Sequence, residues 1–219
     1  AIGRIPGEAG TEIDAAGLVV APGFIDVHTH ADEVADMPQA ENFVRMGVTT
    51  VVAGNCGDST LNVAKLFQAV EQTNVAVNVA TLVGHNSVRR KAMGGKFDRP
   101  PTAQELARMK TLVEQAMKDG AVGLSTGLIY QPGVFARTDE IVELGKVLAA
   151  YDGIYTSHMR HEDTRIFSAL DEVVRVAREA GIRAEISHIK LAGPSAWGQP
   201  RGVVPELSHV AGKIICMSS

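Results

Sequence analysis

The chain has 219 residues, 45% of them hydrophobic and 21% charged, which suits one soluble globular domain with a sizeable core. A net charge of -4 with both signs interspersed argues against a basic nucleic-acid face or a polybasic membrane arm, and no apolar run reaches the roughly 18 residues of a membrane span. Two cysteines, Cys56 and Cys216, make no disulfide framework, and no signal-peptide pattern opens the chain, so a reducing, cytoplasmic setting is the expectation.

Residues 1–20 are turn-rich and β-like and read as the end of a small β-domain with its linker. They begin mid-pattern without Met, so upstream sequence is expected. A repeating architecture follows. A strand is predicted over 24–27, a helix over 39–46 closed by Gly47, and a β-branched strand over 49–53 that runs into Gly54-Asn55-Cys56-Gly57. Val63, Leu66, Phe67 and Val70 lie at helical spacing within 61–72, and a third strand over 75–83 ends at Gly84-His85. Residues 86–101, with Gly94-Gly95 and Pro100-Pro101, read as a loop. Thr102 and Glu105 form a capping box for a helix to Lys118. Strands over 121–124, 154–156 and 183–186 alternate with helices over 138–151 and 164–180. Residues 193–219 carry no clear pattern beyond an apolar stretch around 213–217.

Strands alternating with helices over six units argue for a parallel sheet, either a (β/α)8 barrel or a doubly wound sheet. No dinucleotide or phosphate loop follows the first strand. Polar candidates stand at the C-terminal ends of most strands, and a barrel brings those ends to one mouth where barrel enzymes do their chemistry. The barrel is therefore the preferred fold, with residues 21–192 as its catalytic portion and 193–219 unassigned. The units that would close it are not visible. Its open edges would favour self-association, or cover by a partner or the tail.

Five candidate ligands occupy the predicted strand ends: His28 and His30 two residues apart on one face, Cys56, His158 and His188. Imidazole and thiolate are ligands for a divalent metal. His85 reads as structural or as a support behind the ligands, His161 and His209 as solvated, and Cys56 taken alone as a small buried residue. Lys190, two residues past His188 on the same face, is a candidate cation for a substrate carboxylate. Tyr130 is a candidate hydrogen-bond donor to substrate, and Arg160, which shares the face of His158, is a third candidate substrate-binding residue.

The segments from Pro22-Gly-Phe-Ile-Asp-Val-His-Thr-His-Ala-Asp32 through Gly54-Asn-Cys-Gly57, Gly84-His85, Gly123-Leu-Ser-Thr-Gly-Leu-Ile-Tyr-x-Pro-Gly133, Ser157-His-Met-Arg160 and Ser187-His-Ile-Lys190 resemble the D-aminoacylase branch of the amidohydrolase superfamily. The resemblance covers about residues 17–198. It implies a TIM-type barrel and a tight zinc site of Cys56, His158 and His188, with His28 and His30 as a second, weaker metal position. It implies hydrolysis of N-acyl-D-amino acids, with a small-molecule N-acyl amino acid as the partner and neither nucleic acid nor membrane. It also implies a general-base aspartate on strand 8, a position that Asp26, Asp32 and Asp58 do not occupy. Asp58 itself stands where an apolar residue would be expected. Two other readings follow: an inactive metal-binding fragment, or a cyclic-amide hydrolase of the hydantoinase or dihydroorotase kind. The latter would need a lysine at the end of strand 4, where the sequence has Gly123-Leu-Ser-Thr126. A metal-free phosphate-binding barrel lacks its glycine-rich loop after the late strands.

Overall fold

The structure, a computed structural model, describes residues 7, 10–198 and 214–216. Seven strands form one sheet: β1 (Phe24–Asp26), β2 (Val48–Ala53), β3 (Asn78–Gly84), β4 (Gly123–Gly127), β5 (Ile154–His158), β6 (Arg183–Ile186) and β7 (Ile214–Cys216). Six helices cover it: α1 (Glu41–Arg45), α2 (Val63–Thr73), α3 (His85–Met93), α4 (Ala103–Lys118), α5 (Thr138–Ala149) and α6 (Ile166–Ala180). Every strand pairs in parallel with the next in sequence, in the order β1-β2-β3-β4-β5-β6-β7. A doubly wound sheet reverses its strand order at a switch point, whereas a barrel keeps the chain order. The sequential order therefore selects the barrel over the doubly wound alternative, as a curled, incomplete (β/α) barrel. Among the described residues β1 and β7 do not pair with each other.

Local sequence explains the layers. Ile166, Ala169, Leu170, Val173, Val176, Ala177 and Ala180 lie along one stripe of α6 and are all buried, the i, i+3, i+4 pattern of a helix laid on a sheet. Gly181, at φ +71°, closes that helix in the left-handed region. The capping box of α4 forms as its residues imply: Thr102 N donates to Glu105 Oε2 at 2.7 Å and Glu105 N to Thr102 Oγ1 at 3.2 Å. Strand β4 is buried along its whole length, as a strand covered on both faces must be. Among the described residues no helix is long and apolar enough to cross a membrane.

Three expectations change. Residues 85–93 are helix α3, not loop. Its buried residues include His85, Asn86 and Arg89 beside Val88, Ala92 and Met93, so no apolar stripe announces it. The burial of these polar groups is made possible by Glu140 of α5. Its carboxylate accepts from Arg89 Nη1 and meets His85 Nε2 at 2.8 Å, while Arg89 Nη2 also donates to the Phe97 carbonyl at 3.0 Å. Burial alone would raise the pKa of Glu140; the hydrogen bonds and charges of His85 and Arg89 outweigh it and hold the carboxyl below its ordinary value. The second change lies in the tail, where β7 adds a strand to β6 in a stretch without a sequence assignment. The third is at the amino end: the described residues before Phe24 form no strand, and Phe24 and Ile25 of β1 are both exposed.

The His85–Glu140–Arg89 group gives a stability prediction. Removing one partner from a buried ion pair leaves the other charge uncompensated and costs about 3–5 kcal/mol. Arg89→Met should lower the unfolding free energy measured by urea titration by an amount of that order, whereas Arg45→Ala, which breaks an exposed i,i+4 pair with Glu41, should leave it unchanged.

Candidate metal centre

The parallel strands bring their C-terminal ends together, and the five predicted ligands emerge there from four strands. His28 and His30 follow β1, Cys56 follows β2, His158 ends β5 and His188 follows β6. The turn after β2 has an unusual backbone. Gly54 and Gly57 have φ of +76° and +86°, and Cys56 itself sits at +56°, a left-handed conformation that costs a side-chain-bearing residue about 1–2 kcal/mol. Asn55 anchors this turn by donating to the carbonyls of Thr29 at 3.3 Å and Val52 at 2.9 Å. Ser125 of β4 anchors it from the other side, accepting from Gly57 N at 3.0 Å and donating to the Gly54 carbonyl.

The result places the thiol centrally. Cys56 Sγ lies 3.5 Å from His28 Nε2 and 3.6 Å from His158 Nδ1. The His158 and His188 rings meet edge to face with centroids 4.3 Å apart, and His28 stands 5.6 Å from both His30 and His188. One donor atom from each of Cys56, His158 and His188 falls within 4.8 Å of the others, and so does one from each of His28, His30 and Cys56. Two overlapping three-ligand groups thus share the sulfur. A thiolate with two or more imidazoles is a donor set for zinc, and three protein ligands leave a fourth position open.

Electrostatics favour the same use. Burial, followed by the neighbouring His188 and Lys190, pushes His158 down to about 3. Burial, followed by His188 and His30, pushes His28 down to about 4. Burial pushes the Cys56 thiol up to about 11 against the opposing pull of Lys190. At neutral pH these two imidazoles are therefore neutral and available to coordinate, and the thiol keeps its proton until a cation displaces it.

The remaining candidates divide. Tyr130 lies at the mouth, its ring centroid 4.7 Å from that of His158. Burial, then the charges of Cys56 and Glu162, raises its pKa, so its hydroxyl stays a donor. Lys190 reaches the same region, with Nζ 3.5 Å from Glu162 Oε2. Arg160 turns away from it. Its guanidinium holds Glu172 through Nε and Nη2 at 2.9 Å and donates to the carbonyls of Val134 at 3.0 Å and Ala136 at 2.9 Å, so it ties the loop after β4 to α6. Nothing in those contacts supports the substrate role expected of it. His85 is structural, paired with Glu140. His161 is partly exposed beyond the cluster, and His209 lies outside the described residues. Asp26 accepts from the His28 amide at 3.2 Å, and Asp32 is half-buried with its pKa raised by that burial. Asp58 is exposed and pairs with Arg90 of α3, which accounts for a charge at that position.

Sequence reasoning missed Glu162. In the run His161-Glu162-Asp163 it reads as one more solvated loop charge, yet it is buried, with its side chain against His158, His188 and Lys190. The available signal is stoichiometric: each imidazole that ligates through one nitrogen leaves an N–H needing an acceptor, and a carboxylate commonly supplies it.

The match to known proteins agrees with this geometry. Residues 11–213 match the Amidohydrolase family, and the chain belongs to it. Within the family it falls with the D-aminoacylase branch. It is 39% identical to D-aminoacylase of Alcaligenes xylosoxydans xylosoxydans over 224 aligned residues, covering 90% of this chain and 46% of that protein. A crystal structure of N-acyl-D-glutamate deacylase from Bordetella bronchiseptica, in complex with zinc and a phosphonate inhibitor, superposes with a TM-score of 0.87 at 35% identity, over 93% of this chain and 48% of that one. A D-aminoacylase structure described as having a binuclear metal centre superposes with a TM-score of 0.85 at 31% identity, over 90% of this chain and 47% of that one. The chain spans about half the length of the relatives it matches.

The thiol predicts the pH dependence of metal binding. A group whose pKa of about 11 lies above the working pH must release its proton on coordination, whereas His28 and His158 have none to release. Between about pH 7 and 9, apparent zinc affinity should rise about tenfold per pH unit, and calorimetry in buffers of different ionisation enthalpy should find one proton released per ion. Affinity independent of pH would exclude the thiol as a ligand.

Proposed function

We propose that this chain is the metal-binding portion of a zinc-dependent amidohydrolase that cleaves the amide bond of N-acyl-D-amino acids into a carboxylate and a D-amino acid. The observation that carries the reading is the convergence of Cys56, His158 and His188 from three strand ends to within 4.8 Å. These residues would hold the tight zinc, and His28 and His30, sharing Cys56, a weaker second ion. Bound zinc supplies a water acidified to a pKa of about 7 and polarises the amide carbonyl. The chain's own residues do the rest of what can be assigned. Lys190 binds the free carboxylate of the substrate, and the Tyr130 hydroxyl donates a hydrogen bond at the mouth. Beside Glu162 lies a cleft of about 520 Å³ where the acyl group has room, lined by Ile129, Val134 and Ala192 but also by the charged Arg160, Asp163 and Arg165. The preference for D substrates is taken from the relatives. A cyclic-amide hydrolase is disfavoured because β4, Gly123–Gly127, offers no lysine to the mouth.

The test is metal content and turnover together. Mass spectrometry of the purified chain should find about one zinc, lost in Cys56→Ala. In the enzyme of which this chain is the metal-binding portion, N-acetyl-D-amino acids should be hydrolysed in preference to their L forms and to hydantoins, and Lys190→Met should raise KM at least tenfold with a smaller change in kcat. Turnover of hydantoins alone would reject the linear-amide reading, and an unchanged metal content in Cys56→Ala would reject the zinc site.

A further inference from the structure

We infer that Glu162 is the positioning residue of this centre: its two carboxylate oxygens face the non-ligating nitrogens of His158 and His188, one oxygen to each, and so set the tautomer and orientation of both rings. The inference rests on the metal-site reading above and adds to it a residue outside the ligand set. His158 presents Nδ1 to the Cys56 sulfur at 3.6 Å, which leaves Nε2 on the far side of the ring, and that atom lies 3.7 Å from Glu162 Oε2. His188 has its Nδ1 2.6 Å from Glu162 Oε1, which leaves Nε2 as the nitrogen free to ligate. One carboxylate thus stands behind two ligands on adjacent strands.

Burial makes the arrangement consequential. The side chains of Glu162 and His158 are only 8% and 4% exposed. His158 Nε2, His188 Nδ1 and Glu162 Oε1 are all buried without an aligned hydrogen bond, although the His188–Glu162 contact is short enough for one. Orphaned buried polar groups cost about 1–3 kcal/mol each. All three belong to the two contacts that this one carboxylate makes, one with each ring. The loop that carries Glu162 is fixed to the strand end it serves, since its backbone carbonyl accepts from Ala192 N at 2.6 Å. Lys190 lies against Oε2, so the same carboxylate also sits beside the cation assigned to substrate. In this arrangement a shift of Glu162 would disturb both the metal ligands and the carboxylate-binding lysine.

The experiment reads the tautomers directly. Nitrogen-15 NMR of the histidine-labelled full chain, first metal-free and then with zinc added, should show His158 protonated at Nε2 and His188 at Nδ1 in both states. In Glu162→Gln the side-chain amide can accept from only one ring, so at least one of the two tautomers should become mixed, and the zinc Kd should weaken by about tenfold to a hundredfold. The opposite tautomer at either histidine in the wild type would overturn the inference, as would a folded Glu162→Gln with unchanged tautomers and unchanged zinc affinity. If that variant does not fold, the wild-type tautomers still decide. If the wild type binds no zinc, the metal-site reading fails, while the metal-free spectrum still tests the role of Glu162.

Discussion

The close approach of the turn Gly54–Gly57 to strands β3 and β4 is the constraint on which this site depends. A Cβ at Gly54 would lie 2.1 Å from the Leu82 carbonyl oxygen, and one at Gly127 the same distance from the Cys56 carbonyl oxygen. A Cβ at Gly84 would meet the Gly57 carbonyl oxygen at 2.4 Å. No ordinary side chain fits such gaps, so backbone packs on backbone across three consecutive strands. That packing holds Cys56 in its left-handed conformation and carries its sulfur across the mouth to β5. The strain at Cys56 is thus local and is sustained by contacts spread over the sheet.

The same close packing sets the electrostatics. With β4 buried and the turn of β2 pressed on it, His158 is buried and Cys56 and His28 are partly shielded from water. Burial leads the causes for Cys56, His28 and His158 alike, and it favours the neutral form of each. A cluster of uncharged donors is stable without a metal, and it would offer a ligand set to a divalent cation whose charge compensates the thiolate. Lys190 and Glu162 are charged side chains beside this cluster, and they are paired with each other.

Much of this was legible in the sequence because the signals are local. Apolar runs marked the strands, a capping box marked α4, and histidine or cysteine at successive strand ends marked the mouth. What stayed hidden depends on pairing between distant residues. Helix α3 buries Arg89 and His85, and only Glu140, fifty-one residues beyond Arg89, makes that burial possible. Arg160 shares a strand face with His158 by spacing, yet its donors are taken by Glu172 and two loop carbonyls. Glu162 carries no periodicity at all, and its burial follows from where the loops after β5 and β6 meet. Strand β7 is three residues long and leaves no alternation to detect.

His85 shows why strand-end position alone does not make a ligand. It follows β3 as His158 ends β5, and both are buried against a glutamate. The difference lies in what the chain does next. Residue 85 is the first of a helix, so the chain leaves the sheet at once, and the side chain meets Glu140 on the helical layer. His158 is still in strand conformation, with its ring over the mouth, Cys56 on one side and Glu162 on the other. In one case the carboxylate takes the histidine into an ion-paired core with Arg89. In the other it stands behind a histidine whose second nitrogen faces a thiol. The direction of the backbone after the strand separates the two outcomes, and so determines which of two similar Gly/Ser-His motifs belongs to the centre.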